Sequence, residues 1–419
     1  MFSVAIAVFI ASYTAIVSER IHRTTVALAG AVLLVVLGVL HQEEAFSAID
    51  FNTIGLLIGM MIIVLITSKT GLFQYVAIRA AKLAKGEPVR IMLYLAVVTA
   101  VFSALLDNVT TIMLIAPVTF VIADNLKINP IPILITEIIL SNIGGSATLI
   151  GDPPNILIGS AAGLSFMDFL VNLAPVIVII VPVVLYIMYR VYRKQLKTTD
   201  ELKVNIMKID VASTIKDVKL LKKSLFVLAV TIIGFLLHGA LHLEPATIAL
   251  FGAALLLVIT DTHPEEILRG VEWTTIIFFA GLFILVAGIE KVGVLEMLSD
   301  WVLRLTEGSM PATTMAMLWG SGIFSSFIDN IPFVATMIPL VHELGNSGLD
   351  TQPLWWALAL GADMGGNGTL IGASANLVGA GLAEKAGYKL SFKQFFGVGF
   401  AVMIVSMLIS TVYIWLRYL

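Results

Sequence analysis

The stretch that decides the fold is GGSATLIGDPPN at 144–155, because it returns as GGNGTLIGASAN at 365–376, 221 residues further along the chain. Upstream of both copies the chain repeats without a gap at an offset of 222. The matching residues there are Thr25, Gly30, Glu43, Glu44, Gly59, Lys69, Gly71, Phe102, Ser103, Asp107, Asn108 and Pro117, which recur as Thr247, Gly252, Glu265, Glu266, Gly281, Lys291, Gly293, Phe324, Ser325, Asp329, Asn330 and Pro339. A repeat of this length predicts two structurally related halves.

Composition places both halves in a membrane. Hydrophobic residues make up 59% of the 419 residues and charged residues only 13%, whereas soluble domains carry about 25% charged residues. Apolar segments of about 20 residues, long enough to span a bilayer, recur from residue 3 to residue 416. The first of them lacks the positive n-region of a cleavable signal peptide, so we expect it to remain as a helix. The sequence predicts one all-α polytopic membrane domain.

Several classes of function are excluded by composition and motifs. The formal net charge is −3, so a basic nucleic-acid-binding surface is not expected. The chain contains no cysteine, which excludes thiol chemistry and thiolate metal sites. No Walker motif, nucleophile elbow or dinucleotide fingerprint occurs. We therefore expect a protein that is not an enzyme and that holds no cofactor.

Each half has the same order of segments: three spans, a segment interrupted by Asp-Asn, a span broken by Gly-Gly, and a closing span. In the first half these cover 3–19, 24–40, 51–68, 91–122, 131–163 and 167–192, and the second Asp-Asn segment covers 313–342. If each Asp-Asn segment is a re-entrant hairpin, each half crosses five times, and an odd number of crossings inverts the second half. The predicted parts are an N-terminal inverted repeat at 1–193, a linker at 194–223 and a C-terminal repeat at 224–419.

The basic residues agree with this topology. Under the ten-crossing model 22 of the 25 Lys and Arg residues fall on one side, and only Lys291, Arg304 and Arg417 fall on the other. By the positive-inside rule the basic side, with the linker and the open end of the first hairpin, is cytoplasmic. Both termini then lie outside, and the expected location is the plasma (inner) membrane. The tryptophans expected in an outer aromatic belt are Trp301, Trp355, Trp356 and Trp415.

The four helix breaks are the places where we expect chemistry. Backbone groups cannot stay unpaired in hydrocarbon, so a broken helix lines a cavity or packs inside the protein, and its ends form ion sites. Asp107-Asn108 and Asp329-Asn330 lie at the predicted hairpin tips. Intramembrane carboxylates are costly and usually mark ion or proton pathways. The alternative is that each Asp only caps the returning helix.

The Gly-Gly breaks offer neutral oxygen ligands, because adjacent glycines free backbone carbonyls and nearby Thr and Asn side chains add further oxygens. The alternative is close packing of small residues. Asp152 and Asp363 break the symmetry, since their counterparts are Ala373 and Asn142, although Asp152 could equally set a turn before Pro153. The predicted substrate- and ion-binding residues are Asp107, Asn108, Thr110, Gly144, Gly145, Thr148, Asp152, Asn155, Asp329, Asn330, Asp363, Gly365, Gly366, Asn367, Thr369 and Asn376. Within this set, Asp107, Asn108, Asp329 and Asn330 are a candidate sodium site.

At SNIGGSATLIGDPPN (141–155) and GGNGTLIGASANLV (365–378) the sequence resembles the ion transporter superfamily, in the branch of arsenite permeases, NhaD-type sodium/proton antiporters and P proteins. The resemblance covers the whole chain. It implies two inverted repeats, hairpin tips and broken helices around a central site, and elevator-type movement of a transport domain against a scaffold. It also implies a homodimer and, for an arsenite permease, a soluble ATPase partner.

The hairpin tips depart from one pattern of this superfamily. Its sodium-coupled dicarboxylate members carry Ser-Asn-Thr at the tips, whereas this chain has Asp107-Asn108 and Asp329-Asn330. Two carboxylates would repel a dianion, which makes a carboxylate or another inorganic anion the less expected substrate. The sequence predicts proton-coupled efflux of arsenite or antimonite, with sodium/proton antiport as the alternative. The coupling ion is then H⁺ or Na⁺, and the partners are a small inorganic substrate and the lipid bilayer.

Overall fold

The computed structural model describes residues 1–18 and 20–419, and within these ranges the chain is helical, without a β-strand. The first half contains α1 (Phe2–Ser18), α2 (Arg23–Val36), α3 (Gln42–Ser47), α4 (Phe51–Ser68), α5 (Leu72–Leu83), α6 (Pro88–Leu105), α7 (Asn108–Leu126), α8 (Ile131–Gly145), α9 (Pro153–Ala162), α10 (Phe166–Asn172) and α11 (Ala174–Tyr192). The linker holds α12 (Asp200–Lys208) and a 3-10 turn (Ala212–Thr214). The second half contains α13 (Val218–Leu241), α14 (Pro245–Ile259), α15 (Pro264–Gly270), α16 (Trp273–Lys291), α17 (Val294–Leu305), α18 (Met310–Phe327), α19 (Asn330–Asn346), α20 (Thr351–Gly365), α21 (Ser374–Lys385) and α22 (Phe392–Tyr418).

The helices have the length and composition of a multi-pass membrane protein. Among the described residues, seven are long and apolar enough to cross a bilayer, namely α4, α6, α7, α11, α13, α16 and α22. Four shorter helices, α1, α2, α8 and α14, are also apolar. Helices α9 and α10 together have the length of one span but are bent by 114° at the break between them. The prediction of an all-α polytopic membrane protein is confirmed.

The order of helices from α1 to α9 returns from α13 to α21, and the contacts follow the repeat. Gly59 of α4 packs against the backbone of Ala249, and its repeat partner Gly281 of α16 packs against the backbone of Ala27. These are equivalent crossing points, because Ala27 and Ala249 are themselves repeat partners. A side chain at either glycine would clash with main-chain atoms of the facing helix. The two halves are therefore interlocked, with α4 on α14 and α16 on α2.

Helix α14 runs parallel to α4, since Gly55 packs beside Ala246 and Ile63 beside Gly252. Helix α16 likewise runs parallel to α2, since Gly281 packs beside Ala27 and Gly288 beside Leu34. Two ion pairs show how the α4–α14 pair is oriented relative to the α2–α16 pair. Lys69 at the end of α4 lies 2.7 Å from Glu266, just before α16, and Lys291 at the end of α16 lies 2.5 Å from Glu44, just before α4.

Helix α16 therefore runs antiparallel to α4, its own counterpart in the repeat, and α14 runs antiparallel to α2. For these four helices this is the relation that the predicted inverted repeat requires. The two ion pairs are themselves repeat partners and lie in the connections outside the spans. Lys291 and Lys69 hold the pKa values of the Glu44 and Glu266 carboxyls below their ordinary range, through hydrogen bonds to the ammonium groups.

Some predicted boundaries and placements are wrong. The two helices around Asp107 cover 88–126 rather than 91–122, and those around Asp329 cover 310–346 rather than 313–342, because prolines in the first turns of α6 and α18 start those helices earlier. Helices α6 and α7 are each long and apolar enough to cross a bilayer, so the re-entrant hairpin that they would form stays a prediction. The predicted linker at 194–223 contains α12 and the first turn of α13. Trp355 and Trp356 are buried inside the protein, 5% and 0% exposed, whereas Trp301 and Trp415 are exposed as expected.

Candidate functional site

Both hairpin tips are capped by their aspartates. Asp107 precedes α7 and accepts a hydrogen bond from the Thr110 amide at 2.7 Å. Asp329 precedes α19 and accepts one from the Ile331 amide at 3.0 Å. Both aspartates therefore cap the helix that follows them. Capping does not exclude an ion-binding role, because each carboxylate keeps further lone pairs.

The two tips meet at Asp152, which is 1% exposed at the start of α9. The Asn108 Nδ2 atom donates to Asp152 Oδ2 at 2.9 Å, and Asn330 Nδ2 lies 3.5 Å from Asp152 Oδ1. Asp152 caps no backbone amide of its own helix, so its side chain does more than set a turn. One carboxylate thus joins the second break of the first half to both hairpins, and the predicted residues Asn108, Asp152 and Asn330 form one cluster.

Asn142, which is not among the predicted binding residues, connects the two broken helices. Asn142 of α8 accepts a hydrogen bond from Asn108 at 3.1 Å. Its Nδ2 donates to the side-chain oxygens of Asn367 at 3.0 Å and Asn376 at 2.9 Å. The signal that could have identified Asn142 was present in the repeat, since it is the counterpart of Asp363.

The predicted threonines brace the breaks against the hairpins. The Thr148 hydroxyl donates to the Ala104 carbonyl at 2.6 Å, and the Thr369 hydroxyl donates to the Ser326 carbonyl. Each threonine hydroxyl therefore donates its hydrogen to the backbone of a neighbouring helix pair, and Thr369 Oγ1 also accepts from the Ile371 amide at 3.1 Å. A ligand could reach only the remaining lone pairs of these oxygens. The two bonds from hydroxyl to carbonyl are repeat partners, so both breaks are anchored in the same way.

The first glycine of each break lets α8 and α20 approach the hairpin closely. Gly144 packs against the backbone of Ala100, and Gly365 against the backbone of Gly322. In these two positions the small-residue packing alternative describes the structure. The second glycine of each break lies close to the residue before the next helix. Gly145 lies beside the Gly151 carbonyl, and Gly366 lies near the Gly372 carbonyl.

Arg23 also lies at the site, although the sequence predicted only that it is one of the 22 basic residues on the cytoplasmic side. Its Nη1 lies 2.9 Å from Asp329 Oδ2 and 2.5 Å from Ser374 Oγ. The Ser374 hydroxyl also donates to Asp329 Oδ2 at 2.6 Å, and the guanidinium lies over the Phe278 ring at 5.0 Å. These groups border a cavity of about 260 Å³. The repeat could not reveal Arg23, because its counterpart is Pro245.

A second cavity, of about 360 Å³, lies between α9, α16 and α19 and contains Asp50, Glu290 and His342 on its wall. Phe278 beside the first cavity and Glu290 on the second are twelve residues apart on α16, a rise of about 18 Å. The two cavities therefore lie at different depths along that helix. In the described ranges no group of three His, Asp or Glu residues is placed to hold a metal ion.

Several buried polar atoms near the breaks have no hydrogen-bond partner. They are both carboxyl oxygens of Asp363, Asn155 Oδ1, Asn367 Nδ2 and, further along α8, Glu137 Oε2. Buried polar groups in native proteins are nearly always paired with protein, water or an ion. The cluster around Asp363 is therefore a place where a proton, a water molecule or a small ligand is expected.

The model of the citrate transporter (CitMHS) family matches residues 13–361 of this chain. The chain belongs to the citrate transporter family. Its relatives include an uncharacterised transporter of Mycobacterium bovis, 46% identical over 99% of this chain and 98% of that protein, and a 46 kDa membrane protein of Mycobacterium leprae, 45% identical over 99% of both. The human P protein is 35% identical over 98% of this chain, which spans 59% of that protein.

A solved structure has the same fold as this member of the citrate transporter family. The YdaH transporter of Alcanivorax borkumensis aligns with a TM-score of 0.54 over 87% of this chain and 85% of its own, at 15% sequence identity. The predicted relationship to the ion transporter superfamily is confirmed. The protein is a multi-pass membrane transporter.

Charge is distributed unevenly at the centre of this citrate transporter family member. Four aspartates, Asp107, Asp152, Asp329 and Asp363, come from the four breaks or the helices that lead into them. Arg23 is the one basic residue that forms an ion pair with any of them in the described ranges. Because that arginine is already paired with Asp329, the other three carboxyl groups form no ion pair with residues 1–18 or 20–419.

Proposed function

We propose that the protein is a proton-coupled secondary transporter whose acidic centre exchanges protons with a small cation such as Na⁺. The observation that carries this proposal is the excess of carboxyl groups over basic groups at the meeting point of the two hairpins. A buried carboxylate without a counter-ion is strongly disfavoured, so each such group must take up a proton or a cation. Competition of two cations for the same carboxyl groups is the physical basis of an exchanger.

Elevator-type alternating access is supported by the boundary between the interlocked helices and the hairpins. Helices α1, α2, α4, α13, α14 and α16 would form the scaffold, and the hairpins with the broken helices would form the moving body. Few polar contacts cross this boundary. Tyr13 of α1 donates to the Pro332 carbonyl at 3.0 Å and lies 2.6 Å from Thr336. Arg23 of α2 contacts Asp329 and Ser374, and Asn52 of α4 donates to Ser160 of α9 at 3.1 Å. The two cavities lie along the same boundary, as access routes to the centre require.

Efflux of arsenite or antimonite is the second candidate. The amides of Asn108 and Asn330 contact Asp152, and the Asn142 amide contacts Asn108, so the centre offers neutral hydrogen-bonding groups that suit an uncharged hydroxide as well as a cation. In that case the carboxyl groups would carry the exchanged protons and the amides would contact the substrate. The relatives that are named only as transporters do not discriminate between these substrates.

Transport of citrate or another polyanion fits the centre less well. The arginine that could attract a carboxylate is held by Asp329 and Ser374, and the other carboxyl groups would repel an anion. The family description alone therefore does not decide the substrate of this chain.

The proposal is tested by flux into proteoliposomes under an imposed pH gradient. Sodium, lithium, arsenite, antimonite and citrate are compared, each with and without the gradient. We expect gradient-dependent movement of sodium or lithium. Gradient-driven arsenite flux without sodium movement would replace the first candidate by the second, and citrate uptake alone would refute both.

A further inference from the structure

Asn155 and Asn376 are repeat partners and hold their breaks in the same way. Asn155 Nδ2 donates to the Thr148 carbonyl at 3.1 Å and, more weakly, to that of Ser146 at 3.4 Å. Asn376 Nδ2 donates to the carbonyls of Gly366 and Thr369 at 2.7 and 2.9 Å. Because both nitrogen atoms point at backbone carbonyls, the orientation of each amide is fixed. Each Oδ1 atom therefore points away from these carbonyls and needs a hydrogen-bond donor from outside its own break.

In one half this requirement is met. Asn376 Oδ1 accepts from Asn142 Nδ2 at 2.9 Å. In the other half the residue at the equivalent position of Asn142 is Asp363, whose carboxyl group lies beside the side chains of Ser146 and Asn155. Neither oxygen of Asp363 has a hydrogen-bond partner, and neither has Asn155 Oδ1.

Ser146 cannot supply the missing hydrogen, because its hydroxyl donates to the Asn142 carbonyl at 2.8 Å. An ionised Asp363 would then place a carboxylate next to an amide oxygen in a site that is 0% exposed. No basic residue forms an ion pair with Asp363 in the described ranges, and the charged group that faces it is Asp152, another carboxylate. Both facts oppose the ionised form.

We propose that Asp363 is a proton-binding site, in which the neutral carboxyl group donates its O–H to Asn155 Oδ1. Uptake of the proton forms the O–H bond and removes one negative charge from the centre, and release reverses both. The protonated carboxyl group supplies the donor that the amide of Asn142 supplies in the other half. This site is distinct from the hairpin tips, and its role as a coupling site rests on the proposed transport function.

The decisive variant is Asp363→Asn, because it places an amide donor where the repeat already has one. We expect this variant to fold and to be at least as stable as the wild type to heat, since Asn155 gains a permanent partner. Asp363→Leu is the matched comparison. It removes the donor from a side chain with the same branching and leaves Asn155 Oδ1 unpaired, so its midpoint of thermal unfolding should be lower than that of Asp363→Asn.

Proton occupancy is measured directly on purified protein by infrared spectroscopy. The wild type should show the carbonyl stretch of a buried carboxylic acid near neutral pH, and Asp363→Asn should lack that component. Asp152→Asn is the control, and it should retain the component. If the band survives in Asp363→Asn and disappears in Asp152→Asn, the proton belongs to Asp152 and the proposal is wrong.

The coupling role is measured separately in proteoliposomes. We expect Asp363→Asn to reduce flux driven by a pH gradient at least about tenfold. Full gradient-driven flux in this variant would overturn the coupling role. Sodium-induced loss of the carboxylic acid band in the wild type supports exchange at Asp363. If sodium binding requires Asp363 and the wild type shows no carboxylic acid band at any pH tested, Asp363 binds a cation rather than a proton and the proposal is wrong. A wild type that moves no ion but shows the Asp363 band would keep the site and refute only the proposed function.

Discussion

Arg23 and Asp329, 306 positions apart in the chain, form an ion pair with 2.9 Å between Nη1 and Oδ2. The pair connects the first residue of α2 to the tip of the second hairpin. Asp107, at the tip of the first hairpin, forms no ion pair in the described ranges, because the residue equivalent to Arg23 is Pro245. The tip at Asp329 is therefore joined to α2 by an ion pair, whereas the tip at Asp107 has no such pair in the described ranges.

Replacing Arg23 by methionine should destabilise the protein and loosen the second hairpin. The two side chains are 29% and 11% exposed, so we expect a loss of about 1–3 kcal/mol, between the values for surface and buried ion pairs. Thermal unfolding in detergent measures this loss. Arg20→Met is the control, because Arg20 is exposed and forms no ion pair in the described part of the chain.

The same substitution should open the cavity beside Arg23. The chain has no cysteine, so Val378→Cys on the cavity wall can be labelled specifically by a polar thiol reagent. We expect faster labelling in the Arg23→Met background than in the Arg20→Met background. Equal labelling rates together with equal unfolding midpoints would contradict the role assigned to this ion pair.

Asp107→Asn should abolish coupled transport while preserving the fold. Asparagine is as good an N-cap as aspartate, so the hydrogen bond to the Thr110 amide can be kept. Flux under a pH gradient measures the effect. Asp217→Asn is the matched control, since Asp217 caps α13 by accepting from the Leu220 amide at 2.9 Å and lies in the linker. Retention of coupled flux in Asp107→Asn would leave that aspartate with a capping role alone.

The close approach at the breaks predicts equal effects of Gly144→Ala and Gly365→Ala. At either position the new Cβ would lie within 3 Å of backbone atoms of the neighbouring hairpin. We expect each substitution to cost about 1–3 kcal/mol, the usual cost of overpacking. Gly320→Ala in α18 is the control, because no atom lies within 4 Å of its new methyl group. That control should be neutral or stabilising by up to about 1 kcal/mol. A large difference between the two break variants would show that the halves are packed unequally there.

The two ion pairs outside the spans predict a pH dependence of stability. The folded protein holds the pKa values of Glu44 and Glu266 below their unfolded values, so the pairs stabilise the fold above the ordinary pKa of a glutamate. This contribution is lost as the pH falls through the lowered folded values. Lys69→Ala should therefore lower the unfolding midpoint more at neutral pH than in acid. The double exchange Lys69→Glu with Glu266→Lys rebuilds the ion pair and should restore the unfolding midpoint at neutral pH. If Lys69→Ala lowers the midpoint equally at neutral and acid pH, the role assigned to this ion pair is wrong.

The sequence was informative where the repeat constrains both halves. Asp107 and Asp329, the two hairpin tips and the two breaks could be placed because each feature occurs twice. Residues that act without a repeat partner could not be assigned in this way. Arg23 has no basic counterpart in the repeat, so its contact with Asp329 could not be predicted. Asn142 is the repeat counterpart of Asp363 and could have been predicted from that alignment. Hydrophobicity also could not place Trp355 and Trp356, because an apolar segment gives no signal of whether protein or lipid surrounds it.

The contacts of Gly59 with Ala249 and of Gly281 with Ala27 show that neither half can complete its own interior. Two identical copies of one half, inserted in opposite orientations, would satisfy both contacts equally well. An ancestor of half this length could therefore have functioned as an antiparallel pair of identical chains. In such a pair every substitution appears twice, so a buried aspartate at the position of Asp363 would have brought a second one with it. In a single chain the two positions can differ, and here Asp363 stands in one half where Asn142 stands in the other.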